Sequence, residues 1–200
     1  MDKAYIVSQL KELADRSKLD ISEEMIGRIV GIAQFKVYSK GDILARIGDD
    51  ASKAGLVMSG VVRSYYIDNN GNDITQFFSS QGNSCMDSGM FGLSEMTAMW
   101  EALDESTIMI FDVKQVKSLI MSDEGMMKLW IDILESGMRY KIYRENGFLV
   151  ENATERYLSF IKHYPDLSKT VPQKHIATYL GIAPESLSRI RSSMKEDQYE

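Results

Sequence analysis

The sequence is poor in the residues that most metalloproteins and many enzymes work with. Cys85 is the only cysteine, so one chain can form no internal disulfide. For the same reason it cannot by itself supply a zinc ribbon or a cysteine-held iron–sulfur cluster. The two histidines, His163 and His175, lie twelve residues apart with no cysteine beside either. That spacing excludes the i, i+4 metal pair of a helix and fits surface or packing histidines. No glycine-rich phosphate loop and no nucleophile–histidine pair is legible, so nothing supports an enzyme, a metal or a bound cofactor. Long apolar runs are missing too: none approaches the roughly 20 residues that span a bilayer. The opening "MDKAYIVSQLKELADRSKLD" interleaves charge with apolar residues instead of forming a signal-peptide core, which predicts a cytoplasmic chain without membrane contact. Positive charge is also short, with 23 Lys and Arg against 29 Asp and Glu, a net of −6.

That deficit is uneven. Residues 169–195 hold five basic side chains against one acid, Glu185, a local +4. Charges farther away than about 8 Å are largely screened at physiological salt, so this stretch can present a positive face in an acidic protein.

What is present falls into three regions. The first 30 or so residues read as helix: Ile6, Leu10 and Leu13 follow one helical face, and Met25, Ile26, Ile29 and Val30 follow "ISEE", where Ser22 is placed to cap. From 35 to about 113, β-rich runs alternate with glycine at 41, 48, 60, 71 and 82, the spacing of an antiparallel barrel or sandwich. Its clearest hairpin is "VVRSYYIDNNGNDITQFF", with the turn at Asn70-Gly71. The strand pattern closes with "STIMIFDV" at 106–113, while "SEMTAMWEAL" at 94–103 fits helix or loop equally by periodicity. A long helix is expected over about 122–147, opened by Ser122, Asp123 and Glu124. It is apolar on two faces, one through Met126, Leu129 and Ile133, the other through Met127, Trp130, Leu134, Met138 and Ile142. Both faces need cover: either one meets a partner chain, or the helix is central to a monomeric core.

The last 50 residues hold three short helical segments, the second and third beginning near Pro172 and Pro184. Counting Gln173 as position 1, apolar residues fall at 4, 8, 10, 15 and 18 (Ile176, Leu180, Ile182, Leu187, Ile190), Ala177 at 5 and Gly181 at 9. This is the helix-turn-helix register: a small residue where two helices cross, glycine at the turn, and a shared apolar core. Glu185, Ser186, Ser188, Arg189 and Ser192 are left facing outward, with Lys174 and Arg191 adding positive charge. Arginine can donate twice to guanine, a carboxylate can accept from cytosine, and serine can reach base or phosphate. The plainer alternative is an ordinary helical hairpin that fits the register by chance.

Taken over the whole chain, "GDILARIGDDASKAGLVMSGVVRSYYIDNNGNDIT" followed by a long helix and "IATYLGIAPESLSRI" resembles the CRP/FNR superfamily of bacterial transcription regulators. The resemblance implies an α+β fold: an antiparallel β-roll of jelly-roll type with flanking helices (1–121), a long dimerisation helix (122–150) and a C-terminal winged-helix-like helix-turn-helix (151–200). It implies a homodimer joined through Met127, Trp130, Leu134 and Met138, reading double-stranded DNA at a palindromic operator, with RNA polymerase as a further candidate partner. The family's Glu-x-x-Ser-Arg set is matched by Glu185, Ser188 and Arg189.

The chain departs from the family in two places. Cyclic-nucleotide-binding relatives place Gly-Glu and Arg-Ser or Arg-Thr around the ligand, and the corresponding positions here are Met86-Asp87 and Met96-Thr97. Asp87 and Thr97 could stand in for the carboxylate and hydroxyl. Met96 cannot replace the arginine that neutralises a buried phosphate, which argues against cyclic AMP and cyclic GMP. The Met-rich run 85–100 is then either core or an apolar site for an unknown small-molecule effector. Cys85, with no basic neighbour in sequence, reads as an inert thiol more readily than as a redox sensor. At the other end only "EDQYE" follows Lys195, too short for a wing, which lowers the expected number of phosphate contacts and the salt dependence. The competing functional reading is a sensor or interaction module that holds an apolar ligand or a partner protein without productive DNA binding.

Overall fold

The computed structural model describes residues 3–16 and 22–196 as an α+β fold built on antiparallel sheets. The acidic residues beyond Glu196 lie outside the described residues. Two helices lead, α1 (Lys3–Arg16) and α2 (Glu23–Ile32). Ser22 caps α2 as expected, its hydroxyl accepting from the Met25 amide, with Glu23 and Glu24 in the first turn where the helix end is positive.

Eight strands follow: β1 (Ala33–Tyr38), β2 (Ile43–Ala45), β3 (Lys53–Ser59), β4 (Val61–Ile67), β5 (Asp73–Ser80), β6 (Ser84–Cys85), β7 (Met99–Ala102) and β8 (Ser106–Asp112). They form two four-stranded sheets, ordered β1-β8-β3-β6 and β2-β7-β4-β5. β8 lies between β1 and β3, with Tyr38 opposite Ser106 and Gly55 opposite Ile110. Ile108 and Met109 are fully buried there, so β8 reads as a continuous apolar run without alternation. The β4–β5 hairpin turns where the sequence places it. The Asp68 carboxylate accepts from the amides of Asn70 and Asn72, and Gly71 adopts φ +82, a conformation that disfavours any side chain.

The region left open between helix and loop resolves as neither throughout. Residues 99–102 are β7, paired with β2, and Trp100 and Ala102 are buried while their neighbours are half-buried. Four residues are too few for a period-2 pattern to show against the preceding methionines.

Helices then resume with α3 (Val113–Met121) and α4 (Glu124–Val150). α3 was not legible as a separate helix. Its start is set by Asp112, whose carboxylate accepts from the amides of Lys114 and Gln115 at 3.0 and 3.2 Å. The capping of α4 also differs from expectation. Asp123 accepts from the Met126 amide at 2.8 Å, whereas the Ser122 hydroxyl turns back to donate to the Leu119 carbonyl and closes α3. Two adjacent helix ends share the polar run, and the carboxylate takes the N-cap.

The chain ends in α5 (Ala153–His163), α6 (Leu167–Thr170), α7 (Gln173–Leu180) and α8 (Pro184–Glu196). α5 opens on a capping box: the Asn152 side chain accepts from Glu155 N–H while the Glu155 carboxylate accepts from Asn152 N–H. Two compact units result, Met1–Ser64 with Phe78–Gly137, and Tyr65–Phe77 with Met138–Glu200. The core of the first joins Ile6, Leu10, Met25, Ile26 and Ile29 of the leading helices to Met58, Met109, Leu119, Ile120, Met126 and Leu129. Each such buried side chain contributes about 1.5–3 kcal/mol of transfer free energy.

Candidate functional site

The α7–α8 pair is organised around Gly181. Its φ is +68, and a Cβ there would come 2.9 Å from Cε1 of Phe148, so both backbone and packing demand glycine. The turn is a Schellman-type closure: Ile182 N–H donates to the Ala177 carbonyl and Gly181 N–H to the Thr178 carbonyl. Ile176, Ala177 and Leu187 are fully buried, with Leu180 nearly so, and they form the interface of the two helices. Pro184 takes the first helical position of α8, and Ala183 accepts from the amides of Ser186 and Leu187.

α8 leaves a polar face open. Glu185, Ser188, Arg189 and Ser192 are exposed, Ser186 and Arg191 are half-buried, and Lys174 is exposed on α7. Among the described residues, the Arg189 guanidinium makes only long contacts, 3.5 Å to the Glu185 carbonyl and 3.4 Å to Ser186 Oγ. Contacts of that length are weak, so the side chain can be redirected at little cost.

Both stripes of α4 begin against the core and leave it farther along the helix. Met126 and Leu129 are buried in the core, and Met127 and Trp130 pack partly buried against it. Beyond them the apolar side chains emerge: Ile131, Ile133, Leu134, Met138 and Ile142 are all exposed, Met138 by 59%. Of the residues expected on the dimer face, Leu134 and Met138 are therefore open, while Met127 and Trp130 are partly used within the chain. Ile131, on neither expected stripe, joins the open face.

In the roll, the loop holding Met86 and Asp87 meets the loop holding Met96 and Thr97. Thr97 N–H donates to Ser88 Oγ at 3.4 Å, and Asp87 accepts from the Ser84 hydroxyl at 2.7 Å. Met86 and Met96 are buried, 4% and 3% exposed, whereas Thr97 is exposed. Met86 has φ +52, a left-handed backbone that is uncommon for a side chain of this size. Gly89 lies directly against the Ala51 carbonyl, so the 3-10 turn Ser88–Phe91 is packed tightly on the loop before β3. Cys85 is fully buried, and burial, helped by the nearby Asp87 charge, pushes its thiol well above the usual range. That environment suppresses the thiolate and with it the reactivity of a sensor cysteine.

One charged pair was missed. Arg63 on β4 is 2% exposed and donates through Nε and Nη2 to a single oxygen of Glu101 on β7, at 2.9 and 2.8 Å. A lone arginine inside "VVRSYYI" is its only sequence signal, and nothing there identifies the partner strand. Among the described residues, no group of three or more His, Cys, Asp or Glu is placed to hold a metal ion, and no helix is long and apolar enough to cross a membrane.

Comparison with known proteins places this geometry. Residues 35–123 match the family described as cyclic nucleotide-binding domain. No curated protein matches the sequence. Among solved structures, FixK2 from Bradyrhizobium japonicum superposes with a TM-score of 0.75 at 18% identity, covering 84% of this chain and 86% of that one. The c-di-GMP responsive global regulator CLP of Xanthomonas campestris gives 0.70 at 15%, covering 88% and 93%. The catabolite activator protein of Thermus thermophilus gives 0.56 at 17%, covering 89% and 85%. Residues 35–123 thus resemble a cyclic nucleotide-binding domain, and the chain shares the fold of these solved structures.

Proposed function

We propose that the protein is a dimeric, sequence-specific DNA-binding transcription regulator. In this reading α7 and α8 are a helix-turn-helix, residues 122–150 join two chains, and residues 1–121 are a sensor roll. The observation that carries it is the exposed set Glu185, Ser188, Arg189 and Ser192 on a helix held by a left-handed glycine turn. Those side chains have the chemistry to read base edges, while Lys174 and Arg191 supply charge for phosphate. The open apolar stripe of α4 supports pairing, and a two-fold dimer would place two recognition helices on a palindromic site.

The roll does not bind cyclic AMP or cyclic GMP in the usual way. At the position where relatives carry the phosphate-binding arginine stands Met96, buried and apolar. A monoanion there would lack its counter-charge, at a cost that hydrogen bonds from Thr97 alone do not offset. The effector, if the roll takes one, is of a different chemical kind, and RNA polymerase remains a partner to be sought.

The test is fluorescence anisotropy on a palindromic duplex selected from a random-sequence pool. Tighter binding to the selected duplex than to random DNA is expected; equal binding at low salt sinks this reading and leaves the interaction module.

A further inference from the structure

An α-helix leaves its last four carbonyls without intrahelical partners. In α7 all four are accounted for, but only two by the turn itself, where Ala177 and Thr178 accept from Ile182 and Gly181. The other two are taken by arginines from elsewhere. Arg144 Nη2 donates to the Tyr179 carbonyl at 3.0 Å, and Arg156 Nε to the Leu180 carbonyl at 3.0 Å. Two cations thus sit at the negative end of the helix that carries the turn.

Arg144 does more than cap. Its Nη1 donates to the Gln76 carbonyl at 2.7 Å, and its guanidinium carbon lies 3.8 Å from the Tyr179 ring centroid. One planar fork therefore spans β5 and α7. A second contact lies beside it: Thr75 N–H donates to Thr178 Oγ1 at 3.2 Å, and the Thr178 hydroxyl can donate its proton to Thr75 Oγ1 at 3.0 Å or to the His175 carbonyl at 3.2 Å. Tyr179 is further fixed from α4 by a 3.0 Å hydroxyl contact with Tyr140. The hairpin tip, Tyr65–Phe77, belongs to the same compact unit as α7 and α8.

We propose that the β4–β5 hairpin tip is a working part of the recognition unit, clamped to α7 by Arg144 and Thr178, and that Arg144 is a positioning residue for α8. This rests on the DNA-binding reading above. The recognition helix is then held from behind by a strand, and the angle at which Glu185 and Arg189 meet a groove depends on that clamp. Lysine cannot substitute: it carries the charge but no planar fork to span two carbonyls.

Hydrogen–deuterium exchange of the full chain without DNA tests the clamp, because the Thr75 amide is itself one of its bonds. Arg144→Gln and, as a milder variant, Thr178→Val should each raise exchange at Thr75 and through α7 together, roughly tenfold. Unchanged exchange at Thr75 in both variants overturns the clamp. Positioning is read separately, as the ratio of affinity for the selected duplex to that for random DNA. Arg144→Gln and Arg144→Lys should both lower that ratio roughly tenfold, mostly through the selected duplex. A faster-exchanging variant with an unchanged ratio overturns the positioning role and leaves a structural contact. If wild type shows no site preference, the DNA reading fails, and Thr75 exchange still decides the clamp.

Discussion

At the scale of single residues, three side chains do different work. Arg189 is exposed and loosely held, so its loss should change recognition and leave folding alone. Arg189→Ala is expected to lose about 1–3 kcal/mol of site preference per half-site in anisotropy titrations, with thermal stability unchanged. Leu187, on the same helix, is fully buried. Leu187→Ala should destabilise α7–α8 by about 2–5 kcal/mol, visible as earlier loss of helical circular dichroism in urea. Cys85 is buried with its thiol pushed up, so a maleimide should label it only after unfolding; labelling of native protein at neutral pH would contradict its burial.

At the scale of elements, what the sequence showed and hid follows from the length of each signal. The α7–α8 register was readable because seven residues from Ile176 to Ile190 each have a fixed place, and Gly181 marks the turn unambiguously. The Asn70-Gly71 hairpin was readable for the same reason. β7 was not, because four residues among methionines carry no period, and α3 was hidden because Asp112 ends a strand and caps a helix in one step. The division of α4 was half legible: two apolar stripes were visible, but not that the chain's own core takes up Met127 and Trp130. The clamp through Arg144 could not be read at all, since it joins main-chain carbonyls of Gln76 and Tyr179 that leave no trace in residue type. The open stripe of α4 carries this scale's prediction. Leu134→Glu with Met138→Glu places four like charges in a two-fold seam and should convert dimer to monomer in sedimentation velocity. A wild type that already sediments as a monomer, or a variant that stays dimeric, would contradict pairing through this stripe.

At the scale of the molecule, burial ties stability to alkaline pH. Burial holds the hydroxyls of Tyr164 and Tyr179 protonated well above the ordinary tyrosine value of 10.0, and burial holds Cys85 protonated likewise. In the unfolded chain these groups ionise near their ordinary values, so above them the folded state binds more protons than the unfolded one. Stability from these groups is therefore complete below about pH 9 and declines as pH rises beyond it. Urea midpoints measured from neutral to alkaline pH should fall along that course; a flat profile would show these groups to be accessible to water. An acidic chain with a local +4 between 169 and 195 can bind DNA only if that stretch meets the duplex and the remainder faces away. A two-fold pair of recognition helices meets that condition. Native mass spectrometry of the protein mixed with its selected duplex tests it directly: two chains on one duplex are expected, and no complex, or single chains bound alike to any sequence, would contradict it.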